Sequence, residues 1–169
     1  MLEAIIRALG DKLDERTHAK FAELGVPLKG KLQSAYSREL WWKVAHYAGE
    51  VLNPGLPPEQ QRWELGRRFV YAYNETIVGM ALMSAMRVLG PKRALARAAR
   101  NFRTGNNYST AEMKETPEGI EMHVTGQTWP EWYGGLFEAA VEMCGGKNVK
   151  VTLLSADPPR LVVYRVAFS

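Results

Sequence analysis

The sequence has almost no cysteine. Cys144 is the only one among 169 residues, so the chain cannot form an internal disulfide or supply a cysteine-based zinc cluster. The start of the chain also has no long hydrophobic run. The stretch LEAIIRALG after Met1 has no basic leader and is too short for a signal-peptide core or a membrane span. We therefore expect a cytoplasmic protein without a membrane span.

Motifs of the common catalytic classes are missing as well. The sequence contains no Gly-x-Ser-x-Gly elbow and no loop with the glycine spacing and lysine of a P-loop. His18, His46 and His123 lie far apart, without the spacing of a metal site. Cys144 precedes two glycines at a predicted helix end, where the negative end of the helix dipole raises the pKa of a thiol. These absences favour a non-enzymatic protein and predict no metal.

What remains is the composition of one ordinary globular domain. Hydrophobic residues make up 46% and charged residues 24% of the chain, which fits neither a disordered nor a fibrous class. A chain of this length buries roughly two thirds of the surface that its unfolded form exposes. We predict a single domain over residues 1–169, with N-terminal helices in 1–55 and the remaining core in 56–169.

Helical patterns separated by glycine and proline occupy the first hundred residues. The longest apolar-rich stretch, residues 56–90, has a polar break at Asn74, Glu75 and Thr76 that indicates two helices or a kink. Its second half, around Ile77 to Met86, is apolar nearly all round, so we expect deep burial. The next segment, PKRALARAARNFR, predicts an arginine-studded helix with these residues facing inward: Leu95, Ala98, Ala99 and Phe102.

Apolar and polar residues alternate through much of the last sixty residues. This alternation predicts two hairpins, with turns at residues 116–119 and around 157–159. Between them, Thr128 with Glu131 fits a capping box that opens a helix running to Cys144. Several helices followed by ββαββ predict an α+β fold, in which an N-terminal helical part precedes an antiparallel sheet unit.

The stretch NFRTGNNYST, residues 101–110, joins the helical part to the first strand. Gly105 can cap the preceding helix, and Asn106 and Asn107 tolerate positive φ and can bond neighbouring backbone groups. A catalytic or phosphate-binding loop is the alternative, but the stretch lacks the P-loop spacing. We therefore interpret it as a structural turn.

Positive charge is concentrated between Arg87 and Arg103, where six basic residues occur without an acidic one. Such a segment is typical of proteins that bind nucleic acid or an anionic surface. A solvated helix face produces the same pattern, and we expect that simpler arrangement here. Nucleic-acid binding through this segment remains the alternative.

Gly134 and Gly135 lie inside the last predicted helix. Each glycine there costs about 1 kcal/mol of helix stability relative to alanine, so the pair needs a compensating reason. Either the close approach of another backbone or room for a ligand beside Trp132 and Phe137 provides one.

Three stretches resemble an uncharacterised paralogous family known chiefly from myxobacteria: LPPEQQRWELGRRFV, GPKRALARAARNFRTGNNYS and WYGGLFEAAVEMCGGKNVKV, within about residues 56–168. That family has no assigned activity. The C-terminal half is also similar in layout to the vinyl-reductase-type (4VR) domains, in which a helix that starts with small residues lies between two hairpins. The 4VR-like group shares its architecture with a trafficking-complex subunit family and, more loosely, with haem nitric-oxide sensors.

These likenesses imply an α+β shell around an apolar pocket, used for sensing or assembly. Many 4VR domains carry metal-binding cysteines in and after the last hairpin, whereas LLSADPPRLVVYRV has none. The Tyr-x-Ser-x-Arg pattern that binds the haem propionates of the nitric-oxide sensors is also missing. We therefore predict no cofactor, and neither metal nor haem follows from the resemblance.

Our leading hypothesis is a non-enzymatic sensory or regulatory module that binds a small apolar ligand and forms a homodimer. The candidate ligand-binding residues combine apolar walls with a few polar tips: His46, Tyr73, Met80, Met83, Trp132 and Phe137. For His46, three roles stay open, namely an axial haem ligand, a donor to a ligand and a hydrogen-bonded core residue. The alternative functions are a protein-interaction or scaffold module with a filled core, and a nucleic-acid binder that uses the basic segment.

Overall fold

The computed structural model describes residues 2–28, 32–33, 35–100 and 106–169. Within these ranges, helices precede two β-hairpins with one further helix between them, which confirms the α+β class and the ββαββ order. None of the described helices has both the length and the apolar character that a membrane crossing requires. In chain order the elements are α1 (Leu2–Leu9), a 3₁₀ turn (Gly10–Lys12), α2 (Glu15–Glu23), α3 (Arg38–Leu52), α4 (Pro58–Asn74), α5 (Ile77–Leu89), α6 (Pro91–Arg100), β1 (Thr110–Thr116), β2 (Gly119–Thr125), α7 (Pro130–Met143), β3 (Lys150–Asp157) and β4 (Leu161–Ala167).

The two hairpins form one antiparallel four-stranded sheet in the order β1-β2-β4-β3. The central strands place Met122 opposite Tyr164, and both side chains are fully buried. On β2, the buried residues Ile120, Met122 and Val124 alternate with partly exposed ones, because successive side chains of a strand point to opposite faces. Helix α7 lies against the sheet, where the ring of Phe137 meets that of Tyr164 edge to face with centroids 5.3 Å apart.

The polar break predicted after residue 73 separates two helices. Helix α4 ends at Asn74 and α5 begins at Ile77. The hydroxyl oxygen of Thr76 accepts a hydrogen bond from the backbone N–H of Gly79 at 3.0 Å, so a threonine caps the second helix. A local polar side chain thus supplies the partner that the first turn of a helix needs.

The capping box predicted for α7 is wrong. The helix begins at Pro130, after Trp129, and no side chain of the described chain caps its start. The carboxylate of Glu131 accepts a hydrogen bond from Arg62 of α4 at 2.9 Å. An ion pair to a neighbouring helix has replaced the local bond to Thr128 that the sequence pattern predicts.

The prediction of deep burial for α5 is also wrong. Only Gly79, Met83 and Met86 are buried, whereas Ile77 and Val88 are each 89% exposed. The helix packs along one stripe, mainly against α4 and α6, and the rest of its circumference has no neighbour within the described part of the chain. Apolar residues all round a helix make burial favourable, but burial also requires protein on every side.

Helix α6 turns Leu95 and Ala99 inward, as predicted. Phe102 and Gly105, for which we predicted an inward position and a helix cap, lie outside the described residues. Three arginines occupy the exposed side of the helix: Arg93, Arg97 and Arg100. This is the arrangement of a solvated helix face.

Asn106 builds the turn into β1. Its side-chain oxygen accepts hydrogen bonds from the backbone N–H groups of Tyr108 and Ser109, at 3.2 and 2.8 Å, and from the Ser109 hydroxyl at 2.7 Å. The predicted bonding to neighbouring backbone is therefore confirmed for Asn106. Neither asparagine uses its tolerance of positive φ, because Asn148 is the one non-glycine residue with positive φ in the described ranges.

Asn106→Ala is expected to lower the free energy of unfolding by about 1 kcal/mol, since losing a side chain that satisfies local backbone groups costs roughly 0.5–2 kcal/mol. Asn107→Ala is the matched control, because Asn107 is the exposed neighbour, and it should change the stability by less than about 0.5 kcal/mol. Urea unfolding followed by circular dichroism measures both effects. Equal losses in the two variants would contradict the role given to Asn106.

Candidate functional site

Five aromatic side chains from α3, α4 and the start of α7 meet in the core. We call them the aromatic cluster: Trp41, Trp42, Phe69, Trp129 and Trp132. Trp132 is 1% exposed, and its ring centroid lies 5.0 Å from that of Trp41 and 5.1 Å from that of Phe69. The ring centroids of Trp42 and Trp129 are 4.4 Å apart. These separations are those of directly contacting rings, so the rings themselves fill this region.

The local sequence determines where these rings lie. Trp41 and Trp42 are consecutive on α3, so their side chains leave the helix about 100° apart, yet their ring centroids are 4.6 Å apart and both rings lie beside Trp132. Trp41 contacts Trp132, and Trp42 contacts Trp129 most closely. Pro130 disfavours the helical backbone for the residue before it, and Trp129 accordingly has φ −122° and ψ 89°. The chain therefore enters α7 with the Trp129 ring against α3.

Four of the six predicted ligand-binding residues lie in or beside the core. Trp132, Phe137 and Met83 are buried. Tyr73 is partly buried and stacks on Phe69, with ring centroids 6.0 Å apart and an interplanar angle of 8°. Trp132 contacts the aromatic cluster, whereas Phe137 contacts the sheet. The predicted walls of the pocket therefore belong to different parts of a filled core, and their binding role stays a prediction.

The other two predicted residues lie at the surface. His46 is 6.0 Å from the ring of Trp129, and its side chain is 53% exposed beside Glu50. The core-residue alternative for His46 is therefore wrong. Met80 is on the outer side of α5 and is 54% exposed. The structure does not bring it to the aromatic cluster.

Two surface depressions stand out in the described part of the chain, and none of the six residues lines either one. The first has a volume of about 380 Å³ and is lined by residues of the α1–α2 connection and α3, including Asp14, Tyr47 and Glu50. The second, of about 330 Å³, lies at the β1–β2 turn beside Phe168. The aromatic cluster is thus a filled region and not the wall of either depression.

Two rings of the aromatic cluster, and Gln127 just before it in the chain, carry buried polar atoms with no hydrogen-bond partner in the described chain. Gln127 is fully buried, and both its amide nitrogen and its amide oxygen are unbonded. The indole N–H groups of Trp41 and Trp42 are unbonded as well. Gln127 lies two residues before Trp129, whose ring contacts Trp42. More than nine in ten buried polar groups in proteins are paired. Asn53 and Arg165 carry the other unpaired buried side-chain atoms of the described chain, so four of the six such atoms belong to Gln127, Trp41 and Trp42.

Sequence reasoning missed these groups. Gln127 follows Gly126 in a short connection, where no periodicity separates a buried residue from a solvated one. Trp41 and Trp42 are recognisable as aromatic residues of a helix, but whether an indole N–H finds an acceptor depends on distant segments. The strongest available signal was the tandem of two tryptophans on one helix, because each buried indole needs an acceptor.

Further tyrosines around the start of α7 are bonded to the protein itself. The hydroxyl of Tyr164 donates to the carbonyl of Pro130 at 2.8 Å, and the hydroxyl oxygens of Tyr133 and Ser109 are 3.4 Å apart. Burial raises the pKa of Tyr133 and of Tyr164 well above the usual value for a phenol. Both phenols therefore stay protonated at neutral pH, and the Tyr164 hydroxyl serves as a hydrogen-bond donor.

Ion pairs join α4 to α7. The guanidinium of Arg67 lies 2.9 Å from Glu138 and 3.0 Å from Glu142. The indole N–H of Trp63 donates to Glu138 at 2.6 Å, and the hydroxyl of Tyr71 donates to Glu142 at 2.8 Å. Burial by itself would lower the pKa of Arg67, but the hydrogen bonds to the two carboxylates outweigh it and raise that pKa. The two carboxylates are thus occupied in holding the helices together.

Three glycines allow α4 and α7 to cross closely. A Cβ on Gly135 would overlap the backbone carbonyl oxygen of Trp63, and one on Gly66 would overlap that of Trp132. A Cβ on Gly134 would overlap the ring of Trp63. The approach of another helix therefore explains the glycines of α7, and space for a ligand is not needed to account for them.

Cys144 is buried at the end of α7. The pKa of its thiol is raised, as predicted, although burial is the main cause and the charge of Arg87 opposes it. Among the residues that the structure describes, no three His, Cys, Asp or Glu side chains converge in a way that could hold a metal ion. A thiol in this environment has the properties of a packed structural cysteine.

The helices and the four-stranded sheet together have the fold of H-NOX domains. An oxygen-binding H-NOX domain related to soluble guanylate cyclases matches with a TM-score of 0.75 and 13% identity, over 99% of this chain and 92% of that one. An unliganded Fe(II) H-NOX mutant from K. algicida matches with a TM-score of 0.69 and 12% identity, over 99% and 94%. A structure from work on haem redox potential and porphyrin distortion matches with a TM-score of 0.75 and 13% identity, over 99% and 92%. At these identities the likeness establishes the fold alone.

The chain belongs to a family described as protein of unknown function (DUF2378), whose model matches residues 1–168. The predicted resemblance to an uncharacterised family is thereby confirmed, and the match also includes the N-terminal helices. Among curated proteins, no significant match was found.

A haem does not fit the described residues. A haem iron takes an axial ligand, commonly a histidine, inside a pocket. His18 is partly exposed on α2. The ring of His46 is at the surface, 3.5 Å from Glu50, and that of His123 is 3.1 Å from Glu121 on the partly exposed side of β2. The interior beside Trp132 is filled by aromatic rings. The axial-ligand alternative for His46 therefore has no support.

Proposed function

We propose that this protein is a non-enzymatic sensory or regulatory module that binds a small ligand beside the aromatic cluster. The fold supports the proposal, because it is shared with a domain described as oxygen binding; the likeness to the 4VR domains stays a prediction from the sequence. The ligand is not haem, because the described residues do not fit one. It is also not purely apolar, because it must supply hydrogen-bond partners for the unpaired polar groups.

The observation that carries the proposal is the set of unpartnered polar atoms on Gln127, Trp41 and Trp42. Each buried donor or acceptor left unpaired costs about 1–3 kcal/mol, so three such side chains in one region need compensation. An indole N–H only donates, whereas a glutamine amide both donates and accepts. The matching ligand has a strong acceptor, such as a carbonyl or carboxylate oxygen, and is small, because the contacting rings leave little space beside them. An ordered water is the competing occupant.

Native mass spectrometry of freshly purified protein tests this proposal. We expect a noncovalent adduct larger than water on the wild-type chain, and we expect Gln127→Leu to lose it. Gln60→Leu is the matched control and should keep the adduct, because Gln60 is exposed on the first turn of α4. Adducts on all three proteins, or on none, would contradict the proposed site.

The stability of Gln127→Leu helps to interpret that result. Replacing an unsatisfied buried amide by an apolar side chain of similar size leaves stability unchanged or raises it. The variant should therefore be at least as stable against urea as the ligand-free wild type, with a cooperative transition. If the variant is folded but has lost its adduct, the loss comes from the binding site and not from damage to the core.

A second candidate is a protein-interaction module with a filled core, in which the predicted homodimer is the functional state. It is favoured by a separate observation, the exposed apolar side of α5. Monomeric soluble proteins rarely expose contiguous apolar patches larger than a few hundred Å², and larger ones mark interaction sites. The two candidates are compatible, because a sensory module also needs a surface that passes its signal on.

A further inference from the structure

Arg38 carries a positive charge beside the proposed ligand site, which we define by the unpaired atoms of Trp41, Trp42 and Gln127. It is the first residue of α3, three and four residues before the two tryptophans. These spacings place its side chain between theirs around the helix axis, one turn earlier. Side chains of a helix lean toward its N-terminus, so the two indoles lean toward the turn of Arg38. The charge is therefore on the side of α3 that carries the two unpaired indole N–H groups.

The ring of Tyr108 connects Arg38 with the segment that contains Gln127. The guanidinium carbon of Arg38 lies 5.3 Å from the centroid of this ring, which is the distance of a cation–π contact. A Cβ on Gly126 would overlap the carbonyl oxygen of Tyr108, so the two backbones touch. Gln127 follows directly, fully buried and with both amide atoms unpaired. The contact between Arg38 and Tyr108 thus joins the two segments that define the proposed ligand site.

The charge of Arg38 is not neutralised, in contrast to that of a second arginine at the aromatic cluster. Arg62 lies over the ring of Trp129 at 5.6 Å and also pairs with Glu131 at 2.9 Å. Arg38 contacts a ring as well, but no carboxylate within the described ranges forms an ion pair with it. Burial raises the pKa of Tyr108, and the positive charge of Arg38 opposes that shift. A negatively charged ligand at the site gains the attraction of this charge, whereas an uncharged ligand does not.

The unpaired atoms specify which other groups the ligand carries. The two indole N–H groups and the amide nitrogen of Gln127 donate, and the amide oxygen of Gln127 accepts. A carboxylate accepts from several donors at once, and a hydroxyl donates to an amide oxygen. A hydroxy acid therefore complements each of the four atoms. An amino acid also combines an acceptor with a donor, but its ammonium group would bring a second positive charge toward Arg38.

We infer that the ligand of the proposed site is a small hydroxy acid in its carboxylate form, and that Arg38 selects it over an uncharged ligand. The inference rests on the proposed function and names the ligand class of the same site. Hydrogen bonds between a cation and a carboxylate are roughly twice as strong as those between neutral groups. We therefore expect the carboxylate to bind roughly tenfold more tightly than the matching neutral amide, which corresponds to about 1.4 kcal/mol.

NMR titrations of isotope-labelled protein with glycolate and with glycolamide, at constant ionic strength, test this inference. The two probes have nearly the same size and shape and differ in charge. Glycolate should shift the indole N–H signals of Trp41 and Trp42, which Trp41→Phe and Trp42→Phe assign. The signal of Trp63 is the internal reference and should stay in place, because that N–H already donates to Glu138. Glycolamide should need a roughly tenfold higher concentration for the same shifts.

Variants of Arg38 test its part in this preference. Arg38→Gln should abolish the preference for glycolate, because glutamine still forms hydrogen bonds but has no charge. Arg38→Lys keeps the charge and should keep the preference. Lys43→Gln is the matched control, since it removes a positive charge from another exposed position of α3, and it should bind both probes as the wild type does. All of these variants should remain folded, because both positions are exposed.

The possible outcomes separate this inference from the proposed function. Equal affinities of the wild type for the two probes would overturn the choice of a carboxylate and leave the site itself intact. A preference that survives in Arg38→Gln, or is lost equally in Lys43→Gln, would overturn the role of Arg38. If neither probe shifts the signals of Trp41 and Trp42, the hydroxy-acid class is wrong. An adduct in the native mass spectrum would then retain the proposed function with another ligand, and its absence would overturn both.

Discussion

Gly135→Ala is expected to lower the free energy of unfolding by about 3 kcal/mol, the upper end of what overpacking a core typically costs. On an isolated helix the same change is favourable by about 1 kcal/mol, because alanine is the better helix former. At Gly135, however, the added Cβ would overlap the carbonyl oxygen of Trp63 and lie 3.0 Å from the backbone nitrogen of Arg67. Backbone atoms cannot turn aside as a side chain can, so α4 and α7 must separate.

Gly49→Ala is the matched control, since it makes the same change at a buried glycine of α3. The nearest heavy atom to a Cβ on Gly49 is 3.7 Å away, which is ordinary contact. We expect this variant to be as stable as the wild type or more stable by up to about 1 kcal/mol. Guanidinium unfolding followed by circular dichroism compares the three proteins. Similar stabilities for the two variants would mean a looser crossing of α4 and α7 and would restore ligand space as the reason for the glycines.

Arg67→Ala is expected to lower the free energy of unfolding by about 2 kcal/mol. Removing one partner of a buried ion pair costs about 3–5 kcal/mol, whereas an exposed pair contributes about 1 kcal/mol or less. The side chains of Arg67, Glu138 and Glu142 are between 21% and 32% exposed, so an intermediate value applies. The variant also leaves two carboxylates one turn apart on α7, and like charges at that spacing repel.

Arg68→Ala is the control for this second prediction. Arg68 is the next residue on α4 and is exposed, so its loss should change stability by less than about 0.5 kcal/mol. Urea unfolding at low and high salt measures both variants. The effect of Arg67→Ala should largely persist at about 1 M salt, because partly buried pairs are screened less than exposed ones. Equal effects at the two positions would mean that Arg67 contributes no more than a surface charge.

Local patterns were sufficient to predict most of the secondary structure. The turn at residues 116–119 and the polar break at 74–76 lie where the sequence places them. These features depend on residues within a few positions of each other, whose backbone preferences act before any tertiary contact forms. Asn106 belongs to the same group, because the bonds that build the turn reach two and three residues along the chain.

The capping of α7 shows where local patterns stop being sufficient. Thr128 and Glu131 have the spacing of a capping box, but the carboxylate binds Arg62, which lies 69 residues earlier in the chain. In a capping box the carboxylate accepts from a neutral backbone N–H, whereas Arg62 donates as a cation, so the bond to Arg62 adds the attraction between opposite charges. The tertiary contact therefore outweighs the local one, and no window around α7 contains the competing arginine.

The candidate site was predictable only in part. Trp132, Phe137 and Met83 are buried, as apolar residues on helical stripes should be. Met80 belongs to the same apolar helix as Met83 but lies outside, because nothing in the described chain covers that side of α5. Gln127 was not predicted, because the burial of a loop amide depends on how the rest of the chain packs around it.

By itself, the sequence determined the order of the helices and strands, the pairing of neighbouring strands into hairpins, and the impossibility of an internal disulfide. These follow from backbone preferences and residue chemistry over short distances. Only the tertiary structure decided which side of α5 is covered, which glycines touch a foreign backbone and which buried polar atoms lack a partner. Each of these is a relation between segments far apart in the chain, and it exists only once the helices have packed on one another and on the sheet.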